Sequence, residues 1–98
     1  MKVLMLCNAG MSTGMMKIKI EEAAKADGAD LEIAAKSFQA LDDYKDEYDI
    51  FLLGPQVRFM KDEIQESVGE KPVIVISAQD FGMMRGDMVW KQIKEINK

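Results

Sequence analysis

The chain has 98 residues, 48% hydrophobic and 31% charged, with a formal net charge of −4. That is the profile of one globular domain with a modest core, and it excludes a disordered segment. The acidic balance argues against a nucleic-acid surface, which needs clustered Lys and Arg. A single Cys excludes an internal disulfide and a thiolate metal cluster, and the lack of any His removes the commonest general base and metal ligand. No apolar run is long enough to span a bilayer. The first seven residues superficially resemble a signal peptide, but the apolar stretch is short and no small-residue cleavage site follows it. The chain therefore reads as cytoplasmic, where a lone thiol stays reduced.

Val3 to Cys7 is an unbroken apolar run closed by Asn8-Ala9-Gly10, which predicts a strand buried on both faces. Ser12 and Thr13 then precede a helical segment to Asp27, with Met16, Ile20, Ala23 and Ala24 at helical spacing and Gly28 as its stop. Leu31 to Ala35 predicts a second strand. Ser37 to Tyr48 is polar, with a short helix around Ala40 to Lys45. The acidic run Asp42, Asp43, Asp46 and Glu47 there reads as a solvated face. Ile50 to Leu53, closed by Gly54-Pro55, predicts a third buried strand. A helix from about Gln56 to Val68 carries Val57, Met60, Ile64 and Val68 on one face and ends at Gly69. Pro72 opens a fourth strand, Val73 to Ile76, which is β-branched throughout. Ser77 to Gly86 reads as a loop with room for a helical turn. Asp87 can cap a last helix whose inner stripe is Val89, Ile93 and Ile96.

Strands alternating with helices call for an α/β fold: a parallel open sheet covered on both faces, joined by right-handed crossovers. Ligands bind such sheets beyond the carboxyl ends of the strands. The loops to watch are therefore 8–13, 37–41, 54–56 and 77–86.

The segment Cys7-Asn8-Ala9-Gly10-Met11-Ser12-Thr13-Gly14 lies between a predicted strand and a helix. Its small residues let the backbone curl so that several N–H groups point inward, a nest for an anion at a helix mouth. The helix terminus favours thiolate over thiol and makes Cys7 a nucleophile. A lone Cys in an arbitrary strand is ordinarily an inert core residue; the place of Cys7, at the end of a strand and the start of a turn-rich loop, reverses that reading. A nucleophilic thiol beside an oxyanion cradle suits phosphoryl transfer through a phosphocysteine. Ser12 and Thr13 can cap the helix or donate to a phosphate oxygen, and the sequence leaves both roles open. The sixth position after Cys7 is Thr13, not the Arg of the Cys-x5-Arg loop of low-molecular-weight tyrosine phosphatases. No Gly-Lys-Ser/Thr occurs, which disfavours a nucleotide site. Asp80 could act as an acid, although a solvated turn residue is the simpler reading.

The run Leu6 to Thr13 resembles the active-site signature of the enzyme IIB component of the lactose/cellobiose family of the bacterial phosphoenolpyruvate-dependent sugar phosphotransferase system. Asp49 to Val57, with its Gly54-Pro55-Gln56 turn, resembles that family's third strand and following turn, and Lys71-Pro72-Val73 also fits. The resemblance covers essentially the whole chain, 1–98, as a single IIB domain. It implies a four-stranded parallel sheet of flavodoxin-like character with a loop similar to that of the tyrosine phosphatases. It implies that Cys7 is the phosphorylated nucleophile and that Asn8, Ala9, Gly10, Met11, Ser12 and Thr13 form the phosphate loop. The phosphoryl group would come from a phosphohistidine on a IIA partner. It would go to a sugar, a β-linked disaccharide such as cellobiose, chitobiose or lactose, held by a membrane-embedded IIC permease. No metal, nucleotide or other cofactor is implied, and the chain would meet the inner face of the membrane only through its permease.

Two positions depart from the family pattern: Gly14 stands where a second Ser is frequent, and Phe81 near where some members have Tyr. Gln56 is expected near the phosphate loop, either as a supporting residue or as an ordinary first-turn residue. Met11, Met15, Met83 and Met84 flank the active loops and read as partner surface; Met16 and Met60 read as core. With no surplus apolar face evident, the chain reads as a monomer. The alternative activity is a phosphatase or arsenate reductase on a similar scaffold.

Overall fold

Strand β1 (Lys2–Cys7) is the spine of the sheet, and Val3, Leu4, Met5 and Leu6 within it are wholly buried. The computed structural model describes residues 1–7 and 11–96; for residues 7 and 11–13 it describes the backbone alone. Strand β1 pairs in parallel with β2 (Glu32–Ser37) and with β3 (Ile50–Leu53), and β3 pairs in parallel with β4 (Val73–Val75). The resulting order, β2-β1-β3-β4, gives the first four strands of the flavodoxin-type sheet.

Alternation along the strands divides the apolar residues between two cores. Val3, Met5, Ile33, Ile50 and Leu52 pack under helices α1 (Met11–Ala26) and α5 (Gly86–Ile96). Leu4, Leu6, Phe51 and Leu53 pack under the short helix α2 (Leu41–Tyr44) and under α3 (Lys61–Val68). Both faces of the central strands are covered, so β1 and β3 have no polar face.

The β3 bounds match the expectation residue for residue. Helix α1 begins at Met11, which puts Ser12 and Thr13 inside its first turn and not ahead of it. Strand β2 lies one to two residues later than its apolar run implies, because its register with β1 runs from Lys2 opposite Glu32 to Cys7 opposite Ser37. A 3-10 turn, Phe38–Ala40, precedes α2.

The helix expected from Gln56 is broken. Pro55–Met60 forms 3-10 turns, and Val57 leaves helical geometry at φ −117°, ψ 22°. That break buries Pro55 and Val57 together, while Phe59 is left 76% exposed. Strand β4 ends at Val75, one residue before the bound expected, although the Ile76 N–H still donates to the Leu53 carbonyl at 2.8 Å. The loop from Ser77 contains a helix, α4 (Ala78–Gly82), capped by Ser77 Oγ, which accepts from the Asp80 N–H at 3.0 Å.

Asp87 is not the cap of α5 but a member of its first turn. The buried stripe of α5 is Val89, Trp90 and Ile93, with Ile96 exposed. Trp90 joins that stripe because its indole N–H donates to Asp27 Oδ2 at 3.1 Å, just past the end of α1. Lys94 Nζ donates to the same oxygen at 2.8 Å. Helix α5 reaches α1 closely at Gly86, where a Cβ would lie 2.6 Å from the Ile20 amide nitrogen.

Candidate functional site

Three strand ends meet at one edge of the sheet. Cys7, the last residue of β1, is in register with Ser37, the last of β2. Leu6 is opposite Leu53, the last of β3, and the Gly54 N–H reaches the Leu6 carbonyl at 3.5 Å. The residues that follow each strand are therefore neighbours of Cys7 in space, as parallel open sheets require. Asn8, Ala9 and Gly10, three of the expected phosphate-loop residues, lie outside the described residues, as do the side chains of Cys7, Met11, Ser12 and Thr13. The backbone of Met11, Ser12 and Thr13 forms the first turn of α1, where N–H groups have no intrahelical partner.

The first turn of α1 contains no acidic residue. Every other α-helix of the described residues carries one there: Asp42 and Asp43 in α2, Asp62 and Glu63 in α3, Asp80 in α4, and Asp87 in α5. A carboxylate at that position satisfies the positive end of the helix dipole. Helix α1 has no such carboxylate of its own in its first turn. This signal stands in the sequence, but it emerges only when all five helix starts are compared.

Gln56 is exposed and curls back over the end of β3: a methyl group on Gly54 would lie 2.7 Å from Gln56 Oε1. The same methyl would meet Phe81 Cε2 at 3.7 Å. Gly54, Gln56 and Phe81 thus converge one residue past Leu53, beside the residue that precedes Cys7. The sequence marks Gly54 as the end of a strand and the start of a loop at the ligand edge, but not its contact with Phe81. Phe81 is a core residue, 6% exposed, packed with the α1/α5 layer.

Asp80 is not a solvated turn residue. It sits in α4 with its side chain 16% exposed, and its Oδ1 lies 4.0 Å from Arg85 Nη1. Its carbonyl also accepts the Arg85 N–H at 2.8 Å. Among the described residues nothing lies within 4 Å of a Cβ at Gly14, so it would meet no described neighbour.

Met15 and Met83 are exposed, in keeping with a partner surface, and Met16 is fully buried. Met60 packs half-buried against the α2/α3 core. Met84 departs from expectation: it is half-buried against the α1/α5 core, with a left-handed φ of 53°. That conformation costs of order 1–2 kcal/mol for a residue other than Gly, and it closes the turn that brings Gly86 against α1. An exposed apolar surface does remain, since Met15, Ile18, Phe59 and Met83 are each more than half exposed. The acidic run 42, 43, 46 and 47 is exposed throughout, as expected.

Residues 2–92 match the family described as the lactose/cellobiose-specific IIB subunit of the PTS, the sugar phosphotransferase system. The galactose-specific EIIB component of Lactococcus lactis is 43% identical over 94 residues, which span 89% of this chain and 87% of that protein. A cellobiose-specific EIIB component of Lactococcus lactis matches at the same identity and coverage. The lactose-specific IIB component domain of Streptococcus pneumoniae superposes with a TM-score of 0.83 over 97% of this chain and 95% of that one. At 21% identity it speaks for the fold alone. The chain belongs to the lactose/cellobiose-specific IIB subunit family of the phosphotransferase system. Members of that family are phosphotransferase components that work with IIA and IIC partners in sugar uptake. No helix among the described residues is long and apolar enough to cross a membrane.

Proposed function

We propose that this chain is a phosphocarrier working in the cytoplasm as a single IIB domain. Cys7 takes a phosphoryl group from a phosphohistidine of a IIA protein and passes it to a sugar bound by a IIC permease. The observation that carries this reading is the position of Cys7 at the carboxyl end of a central parallel strand, four residues before an α-helix whose first turn has no carboxylate.

In the first step the Cys7 thiolate attacks phosphorus in line. The S–P bond forms, the N–P bond breaks, and the imidazole of the partner leaves. Main-chain N–H groups of Asn8 to Thr13 hold the equatorial oxygens, and Gln56 supports them from the end of β3. In the second step a sugar hydroxyl attacks the same phosphorus. The S–P bond breaks, the thiolate returns, and the hydroxyl proton passes to a base on the permease side.

Phosphatase chemistry has less to work with. Arg58 and Arg85 are the chain's two arginines. Arg58 donates to the Pro55 carbonyl at 3.1 Å, and Arg85 faces Asp80. Hydrolysis of para-nitrophenyl phosphate is therefore expected to stay at background.

The relatives named for galactose and for cellobiose match equally well, so overall similarity does not select the sugar. A β-linked disaccharide such as cellobiose, chitobiose or lactose remains our assignment. The test is intact-mass and peptide mass spectrometry after incubation with the phosphorylated IIA partner. One added phosphate on Cys7, absent in Cys7→Ser, is expected; a phosphate on any other residue overturns the proposal.

A further inference from the structure

The face of the molecule away from α1 and α5 carries a groove between α2 and α3. It has a volume of about 250 Å³, a floor of Phe38, Leu41, Met60 and Ile64, and a rim that includes Asp42 and Glu63. The charged residues that line it, Asp42 and Glu63, are both acidic. Residues 41–47 and 61–68 together hold seven acidic side chains, all exposed, against two lysines. That surplus of five exceeds the −4 of the entire chain, so the rest of the molecule carries no net negative charge. Lys45 lies 3.4 Å from Asp42, Lys71 Nζ is held by the Lys45 and Tyr48 carbonyls and Lys36 lies over Tyr44, so Glu63 and the α3 carboxylates are the acidic side of the rim.

An apolar floor with an acidic rim fits a cationic amphipathic segment. Of the two partners in the reading above, on which this inference rests, the membrane protein supplies such segments by rule. The cytoplasmic loops of membrane proteins are enriched in Lys and Arg. The groove is also well placed for that partner. Phe38 directly follows Ser37, the residue in register with Cys7, and Glu63 and Ile64 carry the groove down the side of α3. A segment seated there lies beside the strand-end edge.

We propose that this groove receives a basic cytoplasmic segment of the IIC permease. The contact is distinct from the loop that carries the phosphate, and it is driven by charge at the rim and apolar burial at the floor. Titration of the 98-residue chain against its IIC permease in nanodiscs, with empty nanodiscs of the same lipid as blank, tests it directly. Asp42→Lys/Glu63→Lys is expected to weaken permease binding at least about tenfold, and Asp42→Asn/Glu63→Gln less so. Wild-type affinity is expected to fall as salt is added. Uptake of phosphate on Cys7 from the phosphorylated IIA partner should be unchanged in both variants.

Undiminished permease affinity in the charge-reversed variant overturns the proposal. So does equal binding of the wild-type chain to empty nanodiscs, which would make lipid the target. Loss of phosphate uptake in step with permease binding would give the groove to the donor and also overturn it. Failure of wild-type Cys7 to take phosphate at all counts against the carrier reading, and the nanodisc titration still decides the groove.

Discussion

Asp27 accepts hydrogen bonds from Trp90 and Lys94, and these hold its carboxyl below the usual carboxylate range: the Lys94 bond contributes most, then Trp90, then the Lys94 charge. A carboxyl whose folded pKa is depressed stabilises the fold above its unfolded value and loses that contribution as pH falls through the folded one. Thermal melts from pH 7 down to pH 2 should therefore show Asp27→Asn less stable than wild type at neutral pH. The gap should close once the pH drops below the ordinary carboxylate range. A gap constant with pH would contradict the assignment. At the end of β3, Gly54→Ala is expected to displace the flexible Gln56 side chain. It should lower the rate of phosphate transfer to Cys7 while shifting Tm by only a few degrees, read by quench-flow beside calorimetry. Cys7 stood out as a candidate in the sequence because a polar, small-residue loop follows an apolar run. Asp27 did not, since its partners lie 63 and 67 positions away in the sequence.

The start of α1 and the break after β3 show how far local pattern reaches. Gly14 lies in a helix with nothing among the described residues within 4 Å of a Cβ, so Gly14→Ala should stabilise the chain by up to about 1 kcal/mol in urea denaturation. No change would mean that the first turn of α1 frays in the native state. Strand β3 was readable to the residue because Asp49 and Gly54-Pro55 bracket four apolar side chains. The helix over 56–68 was misread because Val57, Met60 and Ile64 fit one helical face equally well with or without the break. Only burial of both Pro55 and Val57 selects the 3-10 turns. The stripe of α5 was half legible: Val89 and Ile93 follow the period, but Trp90 is drawn inward by Asp27.

At the scale of the whole molecule, one sheet separates two cores, so damage on either face should be felt on both. Phe51, wholly buried on the α2/α3 side, should cost about 3–5 kcal/mol when replaced by Ala. Fluorescence of Trp90, the single Trp, reports from the opposite side. Its unfolding midpoint in Phe51→Ala should coincide with that from far-UV circular dichroism; separated midpoints would mean that the two layers melt independently. The parallel α/β class was legible from the alternation of elements, whereas the strand order was not, because each apolar run is compatible with several neighbours. The bare backbone contact of Gly86 with Lys19 and Ile20 has a mechanical meaning. Those residues lie about 12 Å along the helix axis from Met11. Helix α5 is thus a fulcrum for the rod whose first turn follows the end of β1, and a side chain wedged in at position 86 would tilt the distant tip as well as loosen the joint. A Gly86→Ala chain that still folds should therefore load phosphate slowly, although residue 86 packs against the middle of α1 and not against its first turn.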